Sequence, residues 1–513
     1  MAKYLMALDA GIGGGRCVVF DADGEIACSN YAEWTYEWPE GIPGAVEFRA
    51  DGFWKLLAGV VRKSLTALPG GASEIAAISA TSMREGFVLL DRTGREVYSA
   101  PPFDGRGAAL NALLAEEMGE QIYRETGHWP ASFHAPGRIL WLQENLPALW
   151  REVDTLLMIA DWVLFRLTGE RSGEPSNLCS AVLVDARTRA WSSTVIERIH
   201  LPRCVLPSIG SAGELLGRVT AGAADETGLR EGTPVIIGGG DAQCGLIGMG
   251  VARPGLVGAV AGTTTPILLA VNQSLLDTAM RLWTRCHAVP GLWCLEANAG
   301  MTGIVYRWVR DISLEIGGTA DTGLNPYDLM NVRASDVPPG ANGVVVIAST
   351  RMDARSIDHI TAPGAILGIN PIAGGRAPYG EIVRATLEGI SFSIRSNIGL
   401  LEQVSATRLS ELRICGGLTR SSLWAQMLSD VLRIPVLVAG SEEATALGAA
   451  ILAGVGCGTF SNVQEGIEAA VRFSNVIQPN PIVSDEYDRF YNRWLQLNDA
   501  LAPLRGDLMQ VSP

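Results

Sequence analysis

Paired cysteines, clustered histidines, surplus basic charge and long apolar runs are all missing from this chain, and each absence removes a class of function. The nine cysteines (17, 28, 179, 204, 244, 286, 294, 415 and 457) are odd in number, scattered and without a CxxC pair. That excludes a disulfide framework and a zinc site and leaves small buried residues. The five histidines (128, 134, 200, 287 and 359) show no ligand spacing and receive no metal or catalytic role. No GxSxG elbow, HExxH helix or GxxxxGK-S/T loop occurs. Lys and Arg number 40 against 54 Asp and Glu, a net charge of −14, so neither nucleic acid nor an anionic membrane is expected as a partner. The longest uncharged stretch, Pro254 to Leu276, is broken by glycines, threonines and a second proline and reads as buried strands and turns. The opening MAKYLMALDAG meets Asp9 too early for a signal peptide, so a soluble, cytoplasmic protein is expected.

What is present points to large folded cores. Over 513 residues, 48% are hydrophobic and 18% charged, which excludes disorder as the main state. The length suggests two large domains or several small ones. Leu5–Leu8 reads as a strand, Asp9–Gly15 as a glycine-rich turn and Cys17–Phe20 as a returning strand. The same form recurs as Leu256–Val260, AGTTT (261–265) and Pro266–Val271, implying two halves of similar design that meet near Ala252–Gly255. Ile75–Ser79, Phe87–Leu90, Val235–Ile237, Arg413–Cys415 and Pro435–Val438 read as strands. Ala108–Glu117, Pro136–Leu142, Ile382–Val404, Ser421–Leu432 and Glu443–Leu452 read as helices, and together these predict two α/β domains with mixed sheets.

Several segments carry groups fit for chemistry, each with a plainer structural reading beside it. The run Gly11 to Gly15 with Arg16 can turn backbone N–H groups and charge toward an anion, or be a tight turn. A dinucleotide fold needs a helix after these glycines, and Arg16–Phe20 reads as strand. Asp9 beside the loop is placed to hold a magnesium ion through water. Asp241 in GGGDAQCG is either turn chemistry or a carboxylate that takes a proton from a hydroxyl during phosphoryl transfer. Arg84 and Glu85, at a strand end, are an exposed turn pair or the donors and acceptors that hold a polyol. Asp104 and Arg106 in FDGRG offer a similar pair. Thr263 and Thr264 after Gly262 can donate to phosphates, and Gly416–Gly417 gives a flat surface for an adenine ring.

In combination, the order of these segments resembles the FGGY family of carbohydrate kinases. The resemblance rests on LDAGIGGGRCVVFD (8–21), SATSMREGFVLLD (79–91), TGHWPASFHAPGRILWL (126–142), IADWVLFRLTGE (159–170), GGGDAQCGLIGMG (238–250), AGTTT (261–265) and RATLEGISF (384–392). It closes on ICGGLTRSSLWAQMLSDVLRIPV and EATALGAAILAG (414–454) and spans about residues 4–475. It implies an α/β fold of two actin-like, ribonuclease H-like domains around a central cleft. Residues 1–253 would carry the sugar site, first phosphate loop and catalytic aspartate, and 254–513 the nucleotide site.

The resemblance also implies roles. Asp241 takes the place of the general base and, with Asp9, of the carboxylates that organise Mg2+. Gly11, Ile12, Gly13, Gly14 and Arg16 fall on the first phosphate loop, and Gly262, Thr263 and Thr264 on the second. Gly303, Gly416, Gly417, Leu418 and Ser421 fall where the family holds ATP. Met83, Arg84, Glu85, Asp104, Phe133 and Asp241 fall where it holds its sugar. The wording is most similar to the autoinducer-2 kinases, which implies a five-carbon diketone derivative as substrate; a pentulose such as xylulose is the alternative. Xylulose kinases usually carry Met-His at Met83-Arg84. Glycerol kinases share Arg84-Glu85, but their substrate-contacting tyrosine falls on Phe133. The first loop normally reads Asp-x-Gly-Thr, and here the threonine is Ile12. One lost hydroxyl donor costs ~1–2 kcal/mol, roughly ten-fold in affinity or rate. A catalytically weakened, sugar-binding regulatory protein is therefore the rival of another class, with a chaperone-like ATPase behind it. A homodimer is compatible with the sequence.

Overall fold

The computed structural model describes residues 3–315, 325–348, 352–356, 364–370 and 378–509. The chain forms two compact units. The first is Met1–Pro254 with Ala270–Cys294 and Glu443–Arg472, and the second is Gly255–Leu269 with Leu295–Glu442 and Phe473–Pro513. Residues 270–294 and 443–472, which a single cut at 253/254 would assign to the second half, thus pack with the first.

In the first unit, Tyr4–Ala10 and Gly14–Phe20 form an antiparallel hairpin that sets Asp9 opposite Arg16. Ile75–Ser82 runs parallel to Tyr4–Ala10, and Pro234–Gly240 parallel to Ile75–Ser82. The sheet order is Leu215–Arg218, Pro234–Gly240, Ile75–Ser82, Tyr4–Ala10, Gly14–Phe20, Ile26–Glu33. Strand residues alternate between faces. Met6 and Leu8 join a core with Phe53, Trp54 and Leu57 of the helix Ala50–Ala67 and Trp162 of Ile159–Thr168. Leu5 and Ala7 join another with Ile247 of Asp241–Gly248 and Ala449 and Ala453 of Ala444–Gly456. With both faces covered, the strands read as continuous apolar runs.

A close approach explains why the late segment returns to the first unit. A Cβ on Gly248 would lie 1.8 Å from the Ala444 carbonyl, and one on Gly448 would lie 1.9 Å from the Cys244 carbonyl. Only paired glycines let these two helices cross backbone to backbone.

The second unit repeats the wiring. Val257–Val260 and Pro266–Val271 form the antiparallel hairpin; Leu412–Cys415 runs parallel to Val257–Val260, and Val436–Ala439 parallel to Leu412–Cys415. Phe473–Ile477 closes that edge antiparallel, as Leu215–Arg218 does in the first sheet. The helix Pro378–Ser405 buries Leu387, Ile390, Ile394, Ile398 and Leu401, the apolar face visible in the sequence. The tail forms a helix, Pro481–Met509, that buries Tyr487 and Trp494 and that the sequence reading did not anticipate. Among the described residues, no helix is long and apolar enough to cross a membrane.

Candidate active site

Asp241 directly follows a buried strand, as its sequence suggests, and the glycines before it belong to that strand rather than to a turn. Pro234–Gly240 is β-strand to its last glycine, and Asp241 is the first residue of the helix Asp241–Gly248. The glycines are packing devices, since a Cβ on Gly238 would lie 1.8 Å from the Ala80 carbonyl and one on Gly240 2.8 Å from Gln243 Oε1. A carboxylate in the first helical turn faces the positive end of the helix dipole. Its Oδ1 accepts from the Ala242 N–H at 2.6 Å and lies 3.3 Å from Arg84 Nε, with the Asp241 side chain 38% exposed and so reachable.

Asp9 is the penultimate residue of Tyr4–Ala10, which is separated from Pro234–Gly240 by the strand Ile75–Ser82. Burial first, then the charge of Asp241, holds its carboxyl up at about 7, with Arg16 pulling down and Glu443 adding a smaller upward push. Two oxygen-donor carboxylates in mutual repulsion fit a hard divalent cation that keeps much of its water. Among the described residues, no group of three or more His, Cys, Asp or Glu gathers closely enough to hold a metal alone.

The first glycine loop is tighter than expected. The Gly11 N–H donates to the Gly14 carbonyl at 3.1 Å, leaving Ile12 and Gly13 as the exposed tip. Gly14 is corrected from ligand-binding tip to packed strand: it is buried, and a Cβ there would meet the Ala32 carbonyl at 2.2 Å. Arg16 Nη1 donates to Glu443 Oε1 at 2.6 Å, and its guanidinium lies 5.2 Å from the Tyr31 ring centroid.

The proposed sugar residues divide. Arg84 lies beside Asp241, and Glu85 turns with φ +64°, its Oε1 3.4 Å from Arg285 Nη1. Phe133 is partly exposed and lies 4.6 Å from the His134 ring and 6.3 Å from the Trp283 ring, centroid to centroid. Two expectations are corrected. Met83 is 2% exposed and packs in the core, its Sδ 3.8 Å from the Tyr36 hydroxyl. Asp104 is fully buried and accepts from the Val46 N–H, the Tyr98 hydroxyl and Arg106 Nε at 3.1, 2.7 and 2.9 Å, so its oxygens brace a loop. Trp283 and Arg285, missed in the sequence, come from a segment some two hundred residues from Glu85, and no local spacing signals them.

In the second unit a cavity of about 540 Å3 is lined by Gly262, Thr263, Gly303, Gly417, Leu418 and Ser421. These six residues were expected at the nucleotide. Gly303 fits because a Cβ there would lie 2.1 Å from the Gly262 carbonyl. Two expected residues do not line it. Thr264 offers its carbonyl to the Gly262 N–H at 3.1 Å, and Gly416, at φ +106°, is required because a Cβ would meet the Ala261 carbonyl at 2.4 Å. Ser421 Oγ caps the helix Ser422–Leu432 through the Trp424 N–H and donates to Asn331 Oδ1 at 2.7 Å, so its hydroxyl is engaged. Tyr306, Tyr327 and Asn331, unremarked in the sequence, complete the wall, the two rings stacked at 5.5 Å.

Comparison with known proteins bears on both units. The N-terminal domain profile of the FGGY family of carbohydrate kinases matches residues 4–248, and the C-terminal domain profile matches residues 257–457. The chain is 34% identical to an Enterobacter autoinducer-2 kinase over 96% of this chain and 93% of that protein. It is 35% identical to the Escherichia coli autoinducer-2 kinase over the same shares. A solved xylulose kinase from Rhodospirillum rubrum superposes with a TM-score of 0.86 at 25% identity, covering 98% of this chain and all of that one. With family profiles over both parts of the chain and relatives matched along nearly its whole length, this chain belongs to the FGGY family of carbohydrate kinases.

Proposed function

We propose that the chain transfers the terminal phosphate of ATP, with Mg2+, to a hydroxyl of an autoinducer-2-like five-carbon diketone derivative. The observation that carries the chemistry is the reachable Asp241 carboxylate held beside Arg84 at the end of a rigid strand. A positioned carboxylate accepts the proton of an attacking hydroxyl as the phosphoryl group arrives in line. Arg84, Glu85 and Phe133 orient the sugar in this reading. Gly262, Thr263, Gly303, Gly417 and Leu418 receive the nucleotide, and Ile12 and Gly13 meet its phosphates. Asp9 and Asp241 would hold Mg2+ through water, and the ion supplies charge neutralisation for the phosphates.

Identity of 34–35% along 96% of the chain with autoinducer-2 kinases supports the substrate. A pentulose such as xylulose is the second reading, favoured by the structural likeness to a xylulose kinase. The test is ADP release from purified protein and Mg-ATP with the autoinducer-2 precursor, xylulose, ribulose, erythritol and glycerol. Turnover confined to the first compound supports the proposal. Turnover confined to xylulose replaces it with the second reading. Sugar binding without turnover on any compound supports a regulatory, catalytically weakened protein.

A further inference from the structure

Ile12 leaves the first glycine loop without a side-chain hydroxyl, yet the loop tip is held more firmly than a bare glycine turn would be. Two side chains converge on one carbonyl: Trp34 Nε1 donates to the Ile12 oxygen at 3.3 Å, and the Tyr36 hydroxyl donates to the same oxygen. The Trp34 backbone N–H donates to the next carbonyl, that of Gly13, at 3.4 Å. Both anchors are themselves fixed. Trp34 is 6% exposed and stacks on Phe53 at 4.0 Å with 7° between the planes. Tyr36 meets Phe53 and Phe103 edge-on at 5.6 and 4.9 Å.

The consequence follows from peptide geometry. The Ile12 carbonyl and the Gly13 N–H belong to one planar trans unit and point in opposite directions. Drawing the carbonyl toward Trp34 and Tyr36 therefore aims the Gly13 N–H away from them, at an exposed position of the loop. A fixed backbone N–H at a glycine turn is an anion donor that needs no side chain. We propose that Trp34 and Tyr36 are positioning residues that orient the Gly13 amide as a phosphate donor, supplying by backbone what the missing hydroxyl at position 12 cannot. This inference rests on the reading of the hairpin as the first phosphate loop.

The experiment is calorimetry of the full chain with Mg-ATP and, separately, with adenosine, comparing wild type with Tyr36→Phe, which removes only the hydroxyl. The expected result is about two- to ten-fold weaker Mg-ATP binding, the range of one lost hydrogen bond, with adenosine affinity and melting temperature unchanged. In an Ile12→Thr background the same substitution is expected to cost less, because a hydroxyl then shares the task. Equal weakening for ATP and adenosine, or unchanged binding of both, overturns the inference. A wild-type chain that binds adenosine but gains nothing from the phosphates overturns the phosphate-loop reading beneath it, and the unmutated control identifies that failure without reference to Tyr36.

Discussion

At position 241 the consequence of a single substitution is direct. Asp241→Asn keeps the size and the acceptor for the Ala242 N–H but cannot take a proton. A general base contributes about 10²–10⁴-fold, so kcat falls by that factor while Mg-ATP and sugar still bind, as a turnover assay with paired calorimetry would show. Loss of binding together with rate would instead make Asp241 structural. Ile12→Thr is the complementary change. Its added hydroxyl raises kcat/KM about two- to ten-fold if phosphate contact is incomplete, and steady-state kinetics at varied ATP decide it. Asp241, Arg84 and Glu85 stand out in the chain because strand, glycine and charge occur together there. Asp104 carried the same signs, yet Tyr98, Arg106 and the Val46 N–H surround it, and only the fold reveals that enclosure.

Among the elements, the short helix Pro175–Ser180 is tied to the strand Pro234–Gly240 that precedes Asp241. Glu174 caps it, its carboxylate accepting from the Ser176 and Asn177 N–H groups at 2.8 and 3.1 Å, and Ser176 Oγ accepts from the Gly240 N–H at 3.0 Å. Burial lifts the Glu174 carboxyl from 4.5 to about 7 against these bonds, and its charge helps hold the buried Asp161 carboxyl up as well, behind burial. The folded state then binds more protons than the unfolded state between those values. This contribution is fully present below pH 4.5 and lost as pH rises toward 7. Glu174→Gln retains an acceptor for the cap but cannot titrate, so the stability of wild type relative to this variant falls across that window. Urea unfolding at several pH values reads the slope, and a rising difference would contradict the sign. A cap formed by Glu, outside the usual Ser, Thr, Asp and Asn, gives no local sequence signal.

Across the whole molecule, the two sheets share one plan of antiparallel hairpin, two parallel strands and an antiparallel edge, and the repeated hairpin made that plan legible. The return of Glu443–Arg472 to the first unit was not legible, because Gly248 and Gly448 matter only once their helices cross. Nor was the tail helix, whose buried Trp494 and Tyr487 lie in a mostly polar sequence. Each unit has its own sheet, and the proposed nucleotide residues lie in the second, so ligands are expected to stabilise the units separately. A ligand at a hundred times its Kd adds about 2.7 kcal/mol to the unit that binds it, close to a hundred-fold slowing of exchange by global opening. Adenosine, which offers no phosphate to the hairpin, should slow amide exchange in Val257–Val260, Leu412–Cys415 and Ser422–Leu432 while leaving Tyr4–Ala10 and Pro234–Gly240 unchanged. Mg-ATP should extend protection to the first hairpin, because the loop at Ile12 and Gly13 then has a ligand. Equal protection of both units by adenosine would mean that they open as one cooperative body, and hydrogen-exchange mass spectrometry distinguishes the two outcomes peptide by peptide.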